Sequence, residues 1–414
     1  MASWFESARF GMFIHWGHCS QHGRELSWPL VGGLTALPDA EPVSVEDYHA
    51  SAKDFCPKPG AARTWMRLAR QAGMRYAVFT TKHHDGFAMF PTRHSEFSIT
   101  GTPYEGDLVR EYVDAARAEG LRVGFYFSLS DWHHPDYPAF TDDDRPYPFL
   151  SYRRSDPEAW ARYREFMFGV LRELLIGYGQ IDVLWFDGGW ERTPEEWDSK
   201  GLHEMIRSLQ PGVLINDRLP GFGDYATPEQ FVPARPPSGP WETCLTMNRS
   251  WGYVPADRHY KSARDLVHAL SEVASRGGNL LLNVSPSGEG SLPGEQVQRL
   301  ETIGAWMDQY GEAIIDTDPG LEPWQFYGPT TRKGDRIFLH LLLRPYETVT
   351  VRGIRIQKVR GVRHLGSGID LDYKTRCAVA DRLFNPDPTG EVVIRIPESQ
   401  LDPLATVLVM DVEP

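Results

Sequence analysis

Up to about residue 315, short apolar runs alternate with stretches of helical periodicity, and this alternation limits the fold more than any other feature of the chain. The apolar runs are 10–16 (FGMFIHW), 76–82 (YAVFTTK), 123–128 (VGFYFS), 183–186 (VLWF), 213–216 (VLIN), 241–246 (WETCLT) and 280–284 (LLLNV). Amphipathic stretches lie between several of them, at 61–71, 108–119, 157–178 and 262–275. In the last, Ala263, Leu266, Val267, Leu270, Val273 and Ala274 recur at helical spacing. Strand, helix and strand repeated about seven times predict a parallel sheet. Continuously apolar strands predict that both its faces are covered.

The polar residues decide which parallel fold this is. His15, His83 with His84, Asp131, Asp187, Asp217 with Arg218, and Glu242 read as sitting at the C-terminal ends of many different strands. A doubly wound sheet concentrates its site at one switch point. A closed (β/α)8 barrel gathers side chains from every strand end around one mouth. No GxGxxG or GxxxxGK[ST] follows a strand, which removes the nucleotide-binding folds. Residues 1–322 therefore read as a (β/α)8-like TIM barrel. Beyond about residue 325 the runs 337–343, 348–351, 359–365, 391–396 and 406–410 are separated by turn residues, with no helical pattern between them. Residues 323–414 read as an antiparallel β-sandwich without a catalytic cluster.

With 414 residues and 41% hydrophobic content the chain can bury a large core in two domains. A net charge of -13, with no basic patch, argues against nucleic-acid or anionic-membrane partners. No apolar run is long enough to span a bilayer. Cys19, Cys56, Cys244 and Cys377 are far apart and form no CxxC pair, which fits a reducing compartment. The start MASWFESARFGMF lacks a basic region followed by an apolar one, so a cytoplasmic location is expected. Homo-oligomer formation is left open. The 13 tryptophans are a weak pointer to carbohydrate, whose sites use flat aromatic faces.

The run IDVLWFDGGW (181–190) ends in Asp187, Gly188 and Gly189. A carboxylate at the tip of a buried strand loses solvation and needs partners to stay charged. The two glycines allow a sharp turn and leave room for something to approach, at a barrel mouth most simply a substrate. A helix cap or a loop ion pair is the competing structural reading. TTKHHDGF (80–87) sets His83 beside His84 at a strand end. Successive strand side chains point to opposite faces, so at most one of the two continues the inward face. Neutral imidazoles donate and accept, which suits sugar hydroxyls; the structural alternative is a pair of rings satisfied by nearby backbone.

FIHWGH (13–18) ends the first strand with His15 and Trp16. His15 and His18 are three apart, but barrel metallohydrolases open with HxH and add histidines at later strand ends, where this chain has Asn283. No metal is expected. Two further acids compete for a proton-transfer role: Glu229 in GDYATPEQ (223–230) and Glu242 in PWETC (240–244). TPEQ also reads as an N-cap threonine leading a first helical turn. Glu242 also reads as a buried structural acid paired to Arg218 or Arg249.

Taken in order, FGMFIHWG, AGMRYAVFTTKHHDGFAMF, VGFYFSLSDW, VLWFDGG, LINDR, GDYATPEQ, PWETC, SWGY and GGNLLLNVSPSGEG resemble the α-L-fucosidases of glycoside hydrolase family 29. The resemblance implies a (β/α)8-like barrel followed by a β-sandwich, and retaining hydrolysis of terminal α-L-fucosyl residues without a cofactor. It implies Asp187 as nucleophile, His15 as a ligand of fucose hydroxyls, and His83 and His84 as the KHH pair at the sugar. It implies Tyr126 near the nucleophile, Arg218 near the ring oxygen and Trp251 near the sugar's methyl face. Trp28 matches a tryptophan that many members show directly after a glutamate. Here Ser27 precedes it and the nearest acid is Glu25 (ELSWPL), which takes over that glutamate's contact only if the loop is reshaped.

The favoured general acid/base is Glu229, with Glu242 as the alternative. Retention needs the two carboxyl groups about 5–5.5 Å apart. The expected partner is a fucosylated glycan substrate. Rival readings are a glycosidase for another sugar such as an α-L-galactoside, a catalytically inactive fucose-binding protein, and a metallohydrolase. The Pro-, Asp- and Tyr-containing loop 135–152 reads as a rim of the site.

Overall fold

The computed structural model describes residues 3–31, 43–138, 141–145, 154 and 156–413, so part of the 135–152 rim lies outside the described residues. Seven strands form one parallel sheet: β1 (Phe10–Ile14), β2 (Tyr76–Lys82), β3 (Arg122–Ser128), β4 (Val183–Asp187), β5 (Leu214–Ile215), β6 (Glu242–Thr246) and β7 (Asn279–Val284). Their order is β5-β4-β3-β2-β1-β7-β6. The two edges, β5 and β6, do not pair with each other. Residues 225–230 run between them, with parallel bridges Asn216–Tyr225, Ala226–Trp241 and Glu229–Cys244. The Asp217 amide donates to the Tyr225 carbonyl and the Gln230 amide to the Cys244 carbonyl, both at 2.9 Å.

This bridged segment takes the eighth place and closes the ring, which leaves the parallel sheet no free edge. The sequence offers no apolar alternation there, and TPEQ looks like a helix start. In the structure no helix begins at Thr227. The backbone is bridged instead, and Gln230 at φ 62 ends the segment.

Side chains alternate along the strands with period 2, and the alternation sorts two cores. Phe13, Tyr76, Val78, Tyr126, Val183, Trp185, Tyr225, Cys244 and Leu281 fill the barrel interior. Phe5 and Ala8 of the N-terminal helix Ser3–Ala8 belong to the same cluster and plug the barrel. The alternate residues Met12, Ile14, Phe125, Phe127, Leu184, Phe186, Leu280 and Leu282 pack outward against the helices. Each such side chain, fully buried, stabilises the fold by about 1.5–3 kcal/mol before entropy is counted.

The four helices expected from periodicity form at Ala61–Gln71, Leu108–Ala118, Pro157–Gly177 and Ala263–Ser275. Three of these four starts carry a side-chain cap, at Asp107, Asp156 and Ser262. The Asp107 side chain accepts from the Arg110 amide at 2.9 Å, and Ser262 forms a capping box with Asp265. Loss of either cap would cost about 1 kcal/mol.

The C-terminal strands are β8 (Asp318–Pro319), β9 (Thr330–Lys333), β10 (Arg336–Leu341), β11 (Thr348–Arg355), β12 (Val359–His364), β13 (Tyr373–Arg376), β14 (Thr389–Arg395) and β15 (Thr406–Val412). They make a five-stranded sheet, β12-β15-β10-β9-β8, facing a three-stranded sheet, β11-β14-β13. The first of them, β8, precedes residue 323. Ile337, Leu339, Leu408 and Met410 face into the sandwich with Val351, Val392 and Ile394. Their neighbours Phe338, Val407 and Val409 join the barrel's outer core. The Trp306 indole N–H donates to the Ala405 carbonyl at 2.8 Å across this contact.

A short helix, Val379–Phe384, interrupts the strands where the sequence shows no helical period, and Val379, Leu383 and Phe384 are exposed on it. Among the described residues no helix is long and apolar enough to cross a membrane, and all four cysteines are free.

Candidate active site

The strand alternation that fills the barrel also aims its C-terminal ends. Phe13 on β1 and His15 just past its end face inward, as do Trp185 and Asp187 on β4, each pair two residues apart. The upper member of each pair meets a cavity of about 110 Å³. Its walls are Phe13, His15, Trp28, His83, Tyr126, Trp185, Asp187, Trp190, Arg218, Glu229 and Trp251.

Asp187 is the electrostatic centre. Arg218 donates from Nη1 to Asp187 Oδ1 at 3.0 Å, and Tyr126 Oη donates to Oδ2 at 2.9 Å. His84 Nε2 lies 3.7 Å from Oδ2. Burial pushes the Asp187 carboxyl up, but the Arg218 charge, His84 and the two hydrogen bonds outweigh it, and the group ends below its ordinary value. It is ionised at neutral pH. The ion pair leaves it open to the cavity, since 11% of the side chain remains exposed.

The same guanidinium reaches the second acid, with Arg218 Nη2 donating to Glu229 Oε2 at 2.5 Å. Arg218 is itself held from Nε by Thr227 Oγ1 at 3.2 Å and lies 4.5 Å over the Trp185 ring. The Thr227 hydroxyl donates to Asp217 at 2.5 Å. Closing the barrel through residues 225–230 is what brings Thr227 and Glu229 to Arg218.

Of the adjacent histidines only His83 lines the cavity, while His84 approaches Asp187 from the side. β2 ends at Lys82, and its register against β3 shifts between Thr80 and Lys82, so the two-residue alternation no longer governs His83 and His84. Their ring centroids are 4.2 Å apart. His83 stacks on Tyr126 at 5.1 Å and lines the cavity, while His84 sits beside Asp187 and bonds Ser128 Oγ at 2.7 Å. Burial, in the first place, lowers His84 to about 4 and His15 to about 3, so both rings are neutral at pH 7.

The glycines after Asp187 serve a different need from the expected opening for substrate. Gly188 has φ 73, and a Cβ there would come within 2.4 Å of Ser130 Oγ; at Gly189 it would come within 2.5 Å of the Arg218 carbonyl. They let neighbouring loops pack closely under the site.

The other acids are committed elsewhere. Glu242 does not end a strand as expected: it begins β6, below the mouth, where it accepts from Trp185 Nε1 at 2.9 Å and from Tyr76 Oη rather than from Arg218 or Arg249. It does not line the cavity. Burial raises it to about 7. Glu25 does not reach the cavity either: its carboxylate accepts from the amides of Leu26, Trp251 and Gly252, tying the loop that carries Trp251 to the loop that carries Trp28. Asp131 accepts from Lys82 and from the amides of His133 and His134. Among the described residues, no three His, Cys, Asp or Glu side chains come together as a metal site.

Against known proteins, the family model described as alpha-L-fucosidase matches residues 1–312. The chain belongs to the alpha-L-fucosidase family. Among solved members of this family, the alpha-L-fucosidase isoenzyme 1 from Paenibacillus thiaminolyticus is 38% identical, with a TM-score of 0.87 over 99% of this chain and 98% of that one. A GH29 alpha-L-fucosidase from Bacteroides thetaiotaomicron, trapped as a covalent intermediate, is 26% identical, with a TM-score of 0.83 over 99% and 95% of the two chains. The tissue alpha-L-fucosidase of Mus musculus is 31% identical over 77% of this chain and 72% of its own.

Within this fucosidase fold, three wall residues escaped the sequence reading. Phe13 and Trp185 stand two residues before His15 and Asp187, so period 2 alone puts them on the same inward face one layer down. Trp190 is 42% exposed and meets His84 edge-on at 5.4 Å. Its signal was its place just after the two glycines of the strand end.

Proposed function

We propose that the chain is an exo-acting, retaining α-L-fucosidase that removes terminal α-L-fucosyl residues from oligosaccharides or glycoconjugates by double displacement. The observation that carries this reading is the bridge of one guanidinium to two carboxylates on a small cavity. Asp187 attacks the anomeric carbon. Glu229 protonates the departing oxygen, then deprotonates the incoming water. Exposure supports this division of roles, with 35% of the Glu229 side chain accessible against 11% for Asp187. The nucleophile belongs beneath the sugar, and the proton donor belongs where the aglycone leaves. Sharing Arg218 also favours the short separation, about 5–5.5 Å, of a retaining pair.

His15, His83, Trp28 and Trp251 bind the sugar, and His84, Tyr126 and Arg218 hold Asp187 ionised and oriented. No step requires a metal or organic cofactor. The test is to assay nitrophenyl α-L-fucoside beside α-L-galactoside and follow the first-formed sugar by proton NMR. The reading expects fucose released first as the α-anomer. The β-anomer would mean inversion, faster galactoside turnover would reassign the substrate, and binding of fucose without release would mean a sugar-binding protein.

A further inference from the structure

Ser27 takes the position before Trp28, and its backbone is strained. Its φ is 61, uncommon for a residue with a side chain. Three contacts hold it there. Its amide donates to Tyr48 Oη at 2.6 Å. Its hydroxyl accepts from the Asp85 amide at 2.9 Å and lies 2.6 Å from His83 Nδ1. Tyr48 Oη in turn donates to Asp85 Oδ2 at 3.0 Å, so the three residues form one buried unit behind His83.

This set of partners assigns a proton. With the Asp85 amide a fixed donor, the Ser27 hydroxyl proton has one acceptor in its contacts, Nδ1 of His83. Leaving a buried hydroxyl without an acceptor is unfavourable, so the hydroxyl donates to Nδ1. The ring's own proton is then on Nε2. His15 is set the opposite way. Asn283 Nδ2 donates to the Trp251 carbonyl at 2.8 Å, which turns its Oδ1 toward His15 Nδ1 at 2.7 Å. That oxygen only accepts, so His15 carries its proton on Nδ1 and keeps a lone pair on Nε2. The two rings line one cavity with centroids 5.7 Å apart.

We infer that Ser27 is a positioning residue that fixes His83 as a hydrogen-bond donor to a substrate hydroxyl, while Asn283 fixes His15 as an acceptor from one. The substrate half of this statement rests on the fucosidase reading; the proton positions do not. A sugar hydroxyl between these rings gives its proton to His15 Nε2 and receives one from His83 Nε2. A ligand group that only accepts, such as an ether oxygen or fluorine, leaves the His15 lone pair unmatched.

The proton positions are read directly by imidazole nitrogen NMR of the full chain at pH 7, with signals assigned by their loss in His15→Gln and His83→Gln. The expected result is a proton on Nε2 of His83 and on Nδ1 of His15. Ser27→Gly suits the positive φ and removes the CH2OH side chain, hydroxyl included. In it the His83 proton should move to Nδ1 or divide between the nitrogens. Its kcat/KM on the fucoside should fall about tenfold, the worth of one hydrogen bond. With the monodeoxy fucoside that lacks the contacted hydroxyl, that loss should vanish. A wild-type His83 with its proton on Nδ1, or a Ser27→Gly variant with unchanged ring signals, would overturn the inference. The expected ring signals in a protein that cleaves no fucoside would leave the Ser27 assignment standing and sink the fucosidase reading instead.

Discussion

The mouth and the floor of the barrel are built on the same strands, yet they treat an acid in opposite ways. At the mouth, Asp187 and Glu229 share Arg218 and face a cavity. Two layers down, Glu242 is enclosed by Tyr76 and Trp185, hydrogen-bonded to both and shut off from that cavity. The Trp185 ring separates the two levels, with Arg218 lying over its face and Glu242 bonded to its indole nitrogen. Depth along the strand decides what an acid can do. Near the end it meets a cation and open space, while deeper in burial favours the protonated form against the pull of two neutral donors.

Substitution at each level sharpens this contrast. The largest effect belongs to Asp187→Asn, which keeps the size of the group and removes its charge. Its kcat should fall by about a thousandfold or more, with the circular dichroism spectrum unchanged. Next comes Glu229→Ala, where kcat/KM should drop by about 10²–10⁴ for substrates with poor leaving groups and recover in part with azide. Rescue by azide in Glu242→Ala instead would exchange the roles of mouth and floor.

The smallest kinetic effect is expected from Glu242→Gln, with kcat/KM close to wild type. Its effect is on stability against pH. Because the folded protein holds the Glu242 proton up to about 7, it binds that proton more tightly than the unfolded chain does. Raising the pH from about 4.5 to 7 therefore costs the wild type about 3 kcal/mol at this site, and the variant lacks this slope. Glu25 is raised to about 7 as well, chiefly by burial, and contributes equally to both proteins. The difference between their thermal melting curves across that range isolates Glu242. Identical pH profiles would place its carboxylate in water, contrary to the buried floor.

Most of the barrel was legible because its strands and helices advertise their periods. All seven apolar runs became strands and the four periodic stretches became helices. The closing segment 225–230 was not, because its bridges are made by backbone and its side chains follow no alternation. The site followed the same division. Asp187 and His15 were readable from strand ends. The division of labour between His83 on the cavity wall and His84 behind Asp187 was not, because it depends on where β2 stops. The bond of Ser27 to His83 was equally hidden, since 56 residues separate the partners and nothing local marks either for the other. Glu25 shows the converse: an acid in a suggestive position whose oxygens are taken up by three amides.

The assignment of Asp187 as nucleophile requires that its carboxylate form the bond to the sugar. Incubation with a 2-fluoro-fucosyl fluoride, whose fluorine slows the second step, followed by peptide mass analysis, locates that bond. The expected result is one fucosyl label on the peptide ending β4, at Asp187, absent in Asp187→Asn. A label at Glu229 or Glu242, or an unlabelled enzyme that still turns over fucosides, would contradict it.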